Sequence, residues 1–239
     1  MTENELYKHA DEVLGPYLIS KGFGPTQPAD YSRATTGGYD RISVSKGPPS
    51  KAQSHFAVFL TYYPDYLKPA FDVFDLSGED AGFPCGPYLN PVGVGPRPKY
   101  WSCRNAAVLN ASLQHVLQCL EQAGLPWLES LRDPAVFAAN VDPVAAIDAG
   151  LAHEAAGDLA QARRAYGEMM RRLQMVIQSQ PGESILLKQV AKPFIFVARK
   201  LAVEPQLCEQ FMRKTGYRPN ISPLPGEGSG DTPAYSKGE

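Results

Sequence analysis

The residue types that most often carry chemistry are present but widely spaced. His9, His55, His115 and His153 form no i, i+4 pair and no H-E-x-x-H run, so a metal or general-base role requires two of them to meet in space. Read singly, each is a surface or packing residue. Cys85, Cys103, Cys119 and Cys208 include no C-x-x-C pair and read as reduced thiols of a cytosolic chain. Gly82, Gly86, Gly93 and Gly95 could suggest a phosphate cradle. No G-K-[ST] follows them, and the intervening prolines remove backbone N–H groups that a cradle needs. Neither a G-x-S-x-G element nor a Cys-His pairing signature is visible. No catalytic residue, metal or cofactor is expected.

Charge carries more. Residues 65–80 hold Asp65, Asp72, Asp75, Glu79 and Asp80 against Lys68, interleaved with Tyr66, Phe71, Val73 and Phe74. Acidic side chains around aromatic anchors suit docking onto a basic partner surface. The same residues also suit a solvated loop pinned by its own aromatics. Asp65, Tyr66, Phe71, Asp72, Phe74, Asp75, Glu79 and Asp80 are therefore the candidate partner-binding set. A second feature is Arg163, Arg164, Arg171 and Arg172 on one long helical stretch, either a contact for an acidic partner or RNA, or a solvated face. The formal charge of −2 argues against a dedicated nucleic-acid binder.

These residues need elements to position them. Ser54–Pro64 (S-H-F-A-V-F-L-T-Y-Y-P) carries no acidic or Lys/Arg side chain and reads as an inner strand with Phe56, Val58, Leu60 and Tyr62 on one face. Asp30–Thr35 and Tyr39–Lys46, flanking Thr36-Gly37-Gly38, complete a three-strand meander with it. Arg97–Arg104 is expected to return as a fourth strand, and the Pro- and Gly-rich residues 65–99 to form an irregular excursion. Glu5–Lys21 has helical apolar spacing, with Thr2 or Asn4 as cap and Gly22 as stop. Asn105 opens a second helix with Gly124 as its stop. Trp101 and Trp127 are expected to be buried between sheet and helix.

From Pro143 the pattern is helical: Val144–Ala156 and Leu159–Gln178 around Ala156-Gly157-Asp158, then Glu183–Val203 and Pro205–Lys214. Residues 1–140 carry 11 Lys and Arg against 14 Asp and Glu, and residues 141–218 carry 11 against 8, a sign change that fits two modules. The organisation expected is an α+β domain over 1–140, with an antiparallel sheet of about four strands covered by helices. An all-helical module over 141–218 and a disordered tail over 219–239 follow. The acidic start lacks the pattern of a signal peptide and no apolar window has transmembrane length, so a cytoplasmic chain without membrane contact is expected.

Lys21-Gly22-Phe23, Tyr31-x-Arg33, Phe56-x-Val58-x-Leu60, Trp101 and Leu125-Pro126-Trp127-Leu128, in this order, resemble a bacterial family known as domain of unknown function 4304. The sequence departs from that pattern at Gly24-Pro25-Thr26-Gln27 and Ser45-Lys46-Gly47. Some relatives of that family look like immunity proteins of bacterial toxin systems, which is what the resemblance implies. Together with the acidic 65–80 segment, the expected function is to neutralise a toxin by occlusion, with a basic toxin domain as the candidate partner. Ala149-Gly150-Leu151-Ala152, Ala156-Gly157-Asp158, Ala162 and Ala165-Tyr166 are similar to one tetratricopeptide-type hairpin, which implies a scaffold or adaptor as the alternative. An enzyme with a Pro/Gly-rich lid is the third reading. It requires titratable groups to converge beneath the 65–99 excursion.

Overall fold

The computed structural model describes residues 2–47, 54–70, 88–141, 145–179 and 185–202. Helix α1 (Glu3–Ser20) opens on a reciprocal cap: the Glu5 amide donates to Thr2 Oγ1 at 3.2 Å and the Thr2 amide to Glu5 Oε2 at 2.7 Å. Leu6, Ala10, Leu14 and Leu18 form its buried stripe, while Pro16 sits on the exposed side. Gly22, at φ +86°, lets the chain reverse so that Phe23 N–H donates to Leu18 O.

Among the described residues the sheet is entirely antiparallel and has seven strands, three more than the sequence suggests. They are β1 (Gly24–Gln27), β2 (Asp30–Thr35), β3 (Gly38–Lys46), β4 (His55–Pro64), β5 (Tyr88–Asn90), β6 (Gly93–Gly95) and β7 (Trp101–Ser102), in the order β1-β2-β3-β4-β5-β6 with β7 also paired to β4. The β2–β3–β4 meander follows the sequence reading, with Gly38↔Pro64 through Lys46↔Phe56 in register. β1 is a short, fully exposed edge strand holding Pro25, without the alternation that marks a half-buried strand. β5 and β6 lie within the stretch expected to be irregular. Each is three residues long, and Pro87, Pro91 and Pro96 fall outside them. Of Arg97–Arg104 only Trp101 and Ser102 form a strand.

One sheet face is the core. Phe56, Val58, Leu60 and Tyr62 join Tyr31, Ile42, Val44 and Leu89 beneath α1 and α2 (Ala106–Cys119). On the other face Tyr39 stacks on Tyr63 at 4.6 Å, Phe59 meets Tyr88 at 4.5 Å, and Arg41 reaches across to Asp30. Asn105 caps α2 through the Val108 amide at 2.9 Å, as its sequence position suggests. Gly124 is not a stop. The helix continues through a π turn (Leu120–Gly124) into α3 (Leu125–Ser130), with Gly124 in ordinary helical geometry. A Cβ there would stand 3.2 Å from Leu89 and Leu120, so this glycine serves close packing on the sheet. Trp101 is buried as expected, whereas Trp127 is half-buried because Leu128 takes the inward position of α3.

Helix α4 (Pro134–Asn140), capped by Asp133, inserts Phe137 against Tyr62 at 6.1 Å and Tyr66 at 5.9 Å. Helices α5 (Ala146–Ala155), α6 (Leu159–Ser179) and α7 (Ile185–Lys200) pack in sequence. Gly157, at φ +78°, turns the α5–α6 hairpin, and Asp158 Oδ1 accepts from the Gln161 amide to start α6. Leu151, Tyr166 and Val197 belong to the same hydrophobic cluster as Leu6 and Leu60. The architecture is α+β, an antiparallel sheet followed by helices.

Candidate functional site

Pro64 ends β4, and the next amide, Asp65 N–H, donates to Gly37 O at 2.8 Å. This hydrogen bond fixes a 3₁₀ turn, Asp65–Leu67, at the end of the sheet. Leu67 is buried beneath it, Tyr66 lies edge-on to Phe137, and Asp65 is exposed and paired with Lys68 at 2.9 Å. The chain re-enters the sheet at Tyr88, opposite Phe59 of the same strand β4. Of the eight candidate binding residues, Asp65 and Tyr66 are thus brought to one end of the sheet. Phe71, Asp72, Phe74, Asp75, Glu79 and Asp80 lie outside the described residues.

Beside that turn is a charge cluster that motif spacing does not reveal. Arg33 on β2 donates from Nε (3.0 Å) and Nη2 (2.6 Å) to Asp40 Oδ2 on β3. Its Nη1 donates to Lys21 O at 3.1 Å, and its plane lies 4.6 Å over the Phe23 ring. Arg132 Nη2 is 3.7 Å from the same Asp40 oxygen, and Glu129 on α3 stands 3.8 Å from Arg33 and 3.6 Å from Arg132. Asp40 is 0% exposed. Burial holds its carboxyl above the usual carboxylate range, outweighing the opposing pull of Arg33 and Arg132. Tyr62, opposite Asp40, donates to Gly37 O at 3.3 Å. Burial raises its phenol first, and Asp40 and Asp65 add to the shift.

Chemically, two guanidinium groups and two carboxylates offset one another. The network ties the α3–α4 corner to β2 and β3. A signal for it does exist in the sequence: a hairpin turning at Thr36-Gly37 places Arg33 opposite Asp40, as the observed register does.

The other sequence candidates do not meet. His9 Nδ1 lies 2.9 Å from Glu5 O, His55 Nδ1 lies 2.7 Å from Ser54 Oγ, His115 packs edge-on to Trp101 at 4.9 Å, and His153 is half-buried on α5. Among the described residues no group of three His, Cys, Asp or Glu is placed to hold a metal ion. Cys103 and Cys119 are buried free thiols, and burial raises both. On α6, Arg163 and Arg164 are exposed, whereas Arg171 and Arg172 both pair with Glu168, at 2.6 and 3.0 Å.

The helical hairpin is built on close approach. Gly150 on α5 faces Tyr166 on α6, and Lys200 at the end of α7 reaches back to Glu154 at 2.5 Å while lying 5.9 Å over Tyr166 and 5.7 Å over Phe196. Three helices are clamped by two aromatic rings and one ion pair.

Among the described residues no helix is long and apolar enough to cross a membrane. Neither a family model, nor a curated protein, nor a solved structure matches the chain.

Proposed function

We propose that this chain is a protein-binding protein that occludes a basic partner, with the acidic, aromatic segment beginning at Asp65 as its contact surface. The observation that supports this reading is the mounting of exposed Asp65, held in place by Tyr66, which packs inward on Phe137. The turn is hydrogen-bonded to Gly37, wedged on Phe137 and set beside the Arg33–Asp40 network. A contact presented from a rigid platform loses less entropy on binding than a free loop does. Acidic side chains in this segment raise the rate of encounter with a basic surface. On this reading the protein is a bacterial immunity protein of the cytoplasm and its partner a basic toxin domain.

The test is capture of the product of the adjacent gene by the full chain. Association should slow with added salt and with replacement of Asp65, Asp72, Asp75, Glu79 and Asp80 by Ser. Absence of a captured partner, or an unchanged on-rate at low salt, rejects the assignment.

The close-packed α5–α6–α7 hairpin favours one second reading, an adaptor that binds through its helices. Substitutions of Arg163 and Arg164 would then abolish capture while the Asp65 segment tolerates change.

A further inference from the structure

A groove of about 510 Å³ lies between α1 and the turn that joins β1 to β2, lined by Asn4, Tyr7, Lys8, Asp11, Glu12 and Pro28. It is built around Asp11. Oδ1 of Asp11 accepts two hydrogen bonds from the sheet side, the Ala29 amide at 2.9 Å and the Tyr31 hydroxyl at 2.5 Å. Burial and this bond to Asp11 keep the Tyr31 phenol far above its ordinary value, so it remains a proton donor. With Oδ1 taken by both donors, Oδ2 is the oxygen left for the groove, and no described residue donates to it. Ala29 holds a left-handed conformation at φ +57° in the turn that delivers its amide to Asp11. For a residue with a side chain this conformation is costly.

The rest of the lining sets the ligand. Tyr7 and Pro28 supply flat apolar walls, and Glu12 adds a second carboxylate. Lys8 also lines the groove and pairs with Glu12 at 3.9 Å, both side chains being more than half exposed, so Asp11 is the lining carboxylate with no Lys or Arg partner among the described residues. The Tyr7 hydroxyl is held by Glu3 at 2.6 Å, which keeps the ring in place.

We infer that this groove is a docking subsite for an arginine side chain of a partner protein, its guanidinium lying flat against Tyr7 and Pro28 and donating to Asp11 Oδ2. A planar, weakly hydrated cation with forked donors matches flat apolar walls and a fixed carboxylate better than an ammonium does. The source of the side chain rests on the protein-binding reading above. The chemistry of the subsite does not, because it can be read with a free arginine derivative.

The experiment is amide NMR of the full chain titrated with N-acetyl-arginine amide, with the Ala29 resonance as reporter because its N–H is bonded to the same carboxylate. A saturable shift of Ala29 is expected, absent with the uncharged N-acetyl-citrulline amide. Asp11→Asn keeps an oxygen for Ala29 and Tyr31 but removes the charge, and should weaken arginine binding about tenfold or more. Glu12→Gln, on an exposed position, should weaken it less and leaves the fold untouched. No saturable shift, an equal response to citrulline, or unchanged binding in Asp11→Asn overturns the subsite. If arginine binds as described while no protein is captured, the subsite stands and the proposed function falls.

Discussion

Gly150 and Tyr166 are in contact so close that a Cβ added at 150 would stand 2.3 Å from the Tyr166 ring. Gly167, one residue further along α6, has nothing within 4 Å of the same added atom. The same substitution should therefore have opposite signs at the two positions. Gly150→Ala is expected to cost about 1–3 kcal/mol through overpacking of the α5–α6 contact. Gly167→Ala should add about 0.5–1 kcal/mol, because a helix interior gains from losing glycine's backbone freedom. Urea denaturation of the two variants checks both; equal signs would mean that the hairpin relaxes around residue 150.

The Arg33–Asp40 pair gives an asymmetric prediction. Arg33→Ala leaves a buried carboxylate without its principal donor and should destabilise by about 3–5 kcal/mol. Replacing both partners with apolar residues, as Arg33→Met with Asp40→Leu, should recover most of that loss. The double-mutant cycle measured by thermal and denaturant unfolding decides it.

Asp148 predicts a pH dependence. Burial lifts this carboxyl to about 6 from an ordinary 3.8. Between those values the folded state holds more protons than the unfolded state, so stability falls as pH rises through that window. Asp148→Asn should accordingly be near neutral at pH 4 and stabilising above pH 6, by at most about 3 kcal/mol. Unfolding curves for both proteins at pH 4, 5 and 7 test the sign.

Residues 1–140 contain every described strand of the sheet, α1 to α4 and the Phe137 contacts with Tyr62 and Tyr66. Expressed alone they are expected to fold with mixed helix and strand circular dichroism. They should melt below the full chain, because α5, which packs on α4 and on the 3₁₀ turn, is missing. An unfolded product would show that the two halves depend on one core.

Much of the fold was legible because periodicity and local side-chain chemistry agreed. Thr2, Asn105 and the meander around Gly37 and Gly38 all act as their residue types suggest. What was missed lacks such signals. β5 and β6 have three residues each, too few for alternation to register, and they are stabilised by pairing with the middle of β4. Gly124 carries the sequence signature of a helix stop, but the space between Leu60, Leu89 and Leu120 gives it a different purpose. The candidate site was half legible. Composition marks Asp65 and Tyr66, whereas the charge network depends on cross-strand register between Arg33 and Asp40 and on Arg132, distant in sequence. The Asp11 carboxylate joins residues 18 and 20 positions away through α1, and no local pattern announces that bond.

The departure of the chain after β4 and its return as β5, the neighbour of the same strand, has a consequence for engineering. Both described ends are held by the fold itself, Leu67 by burial, Tyr66 by Phe137 and Tyr88 by pairing with Phe59, so the register of β5 is set by its contacts with β4. For engineering, it is therefore Phe59, Tyr88 and Leu89 that must be kept if β5 is to hold its place on β4.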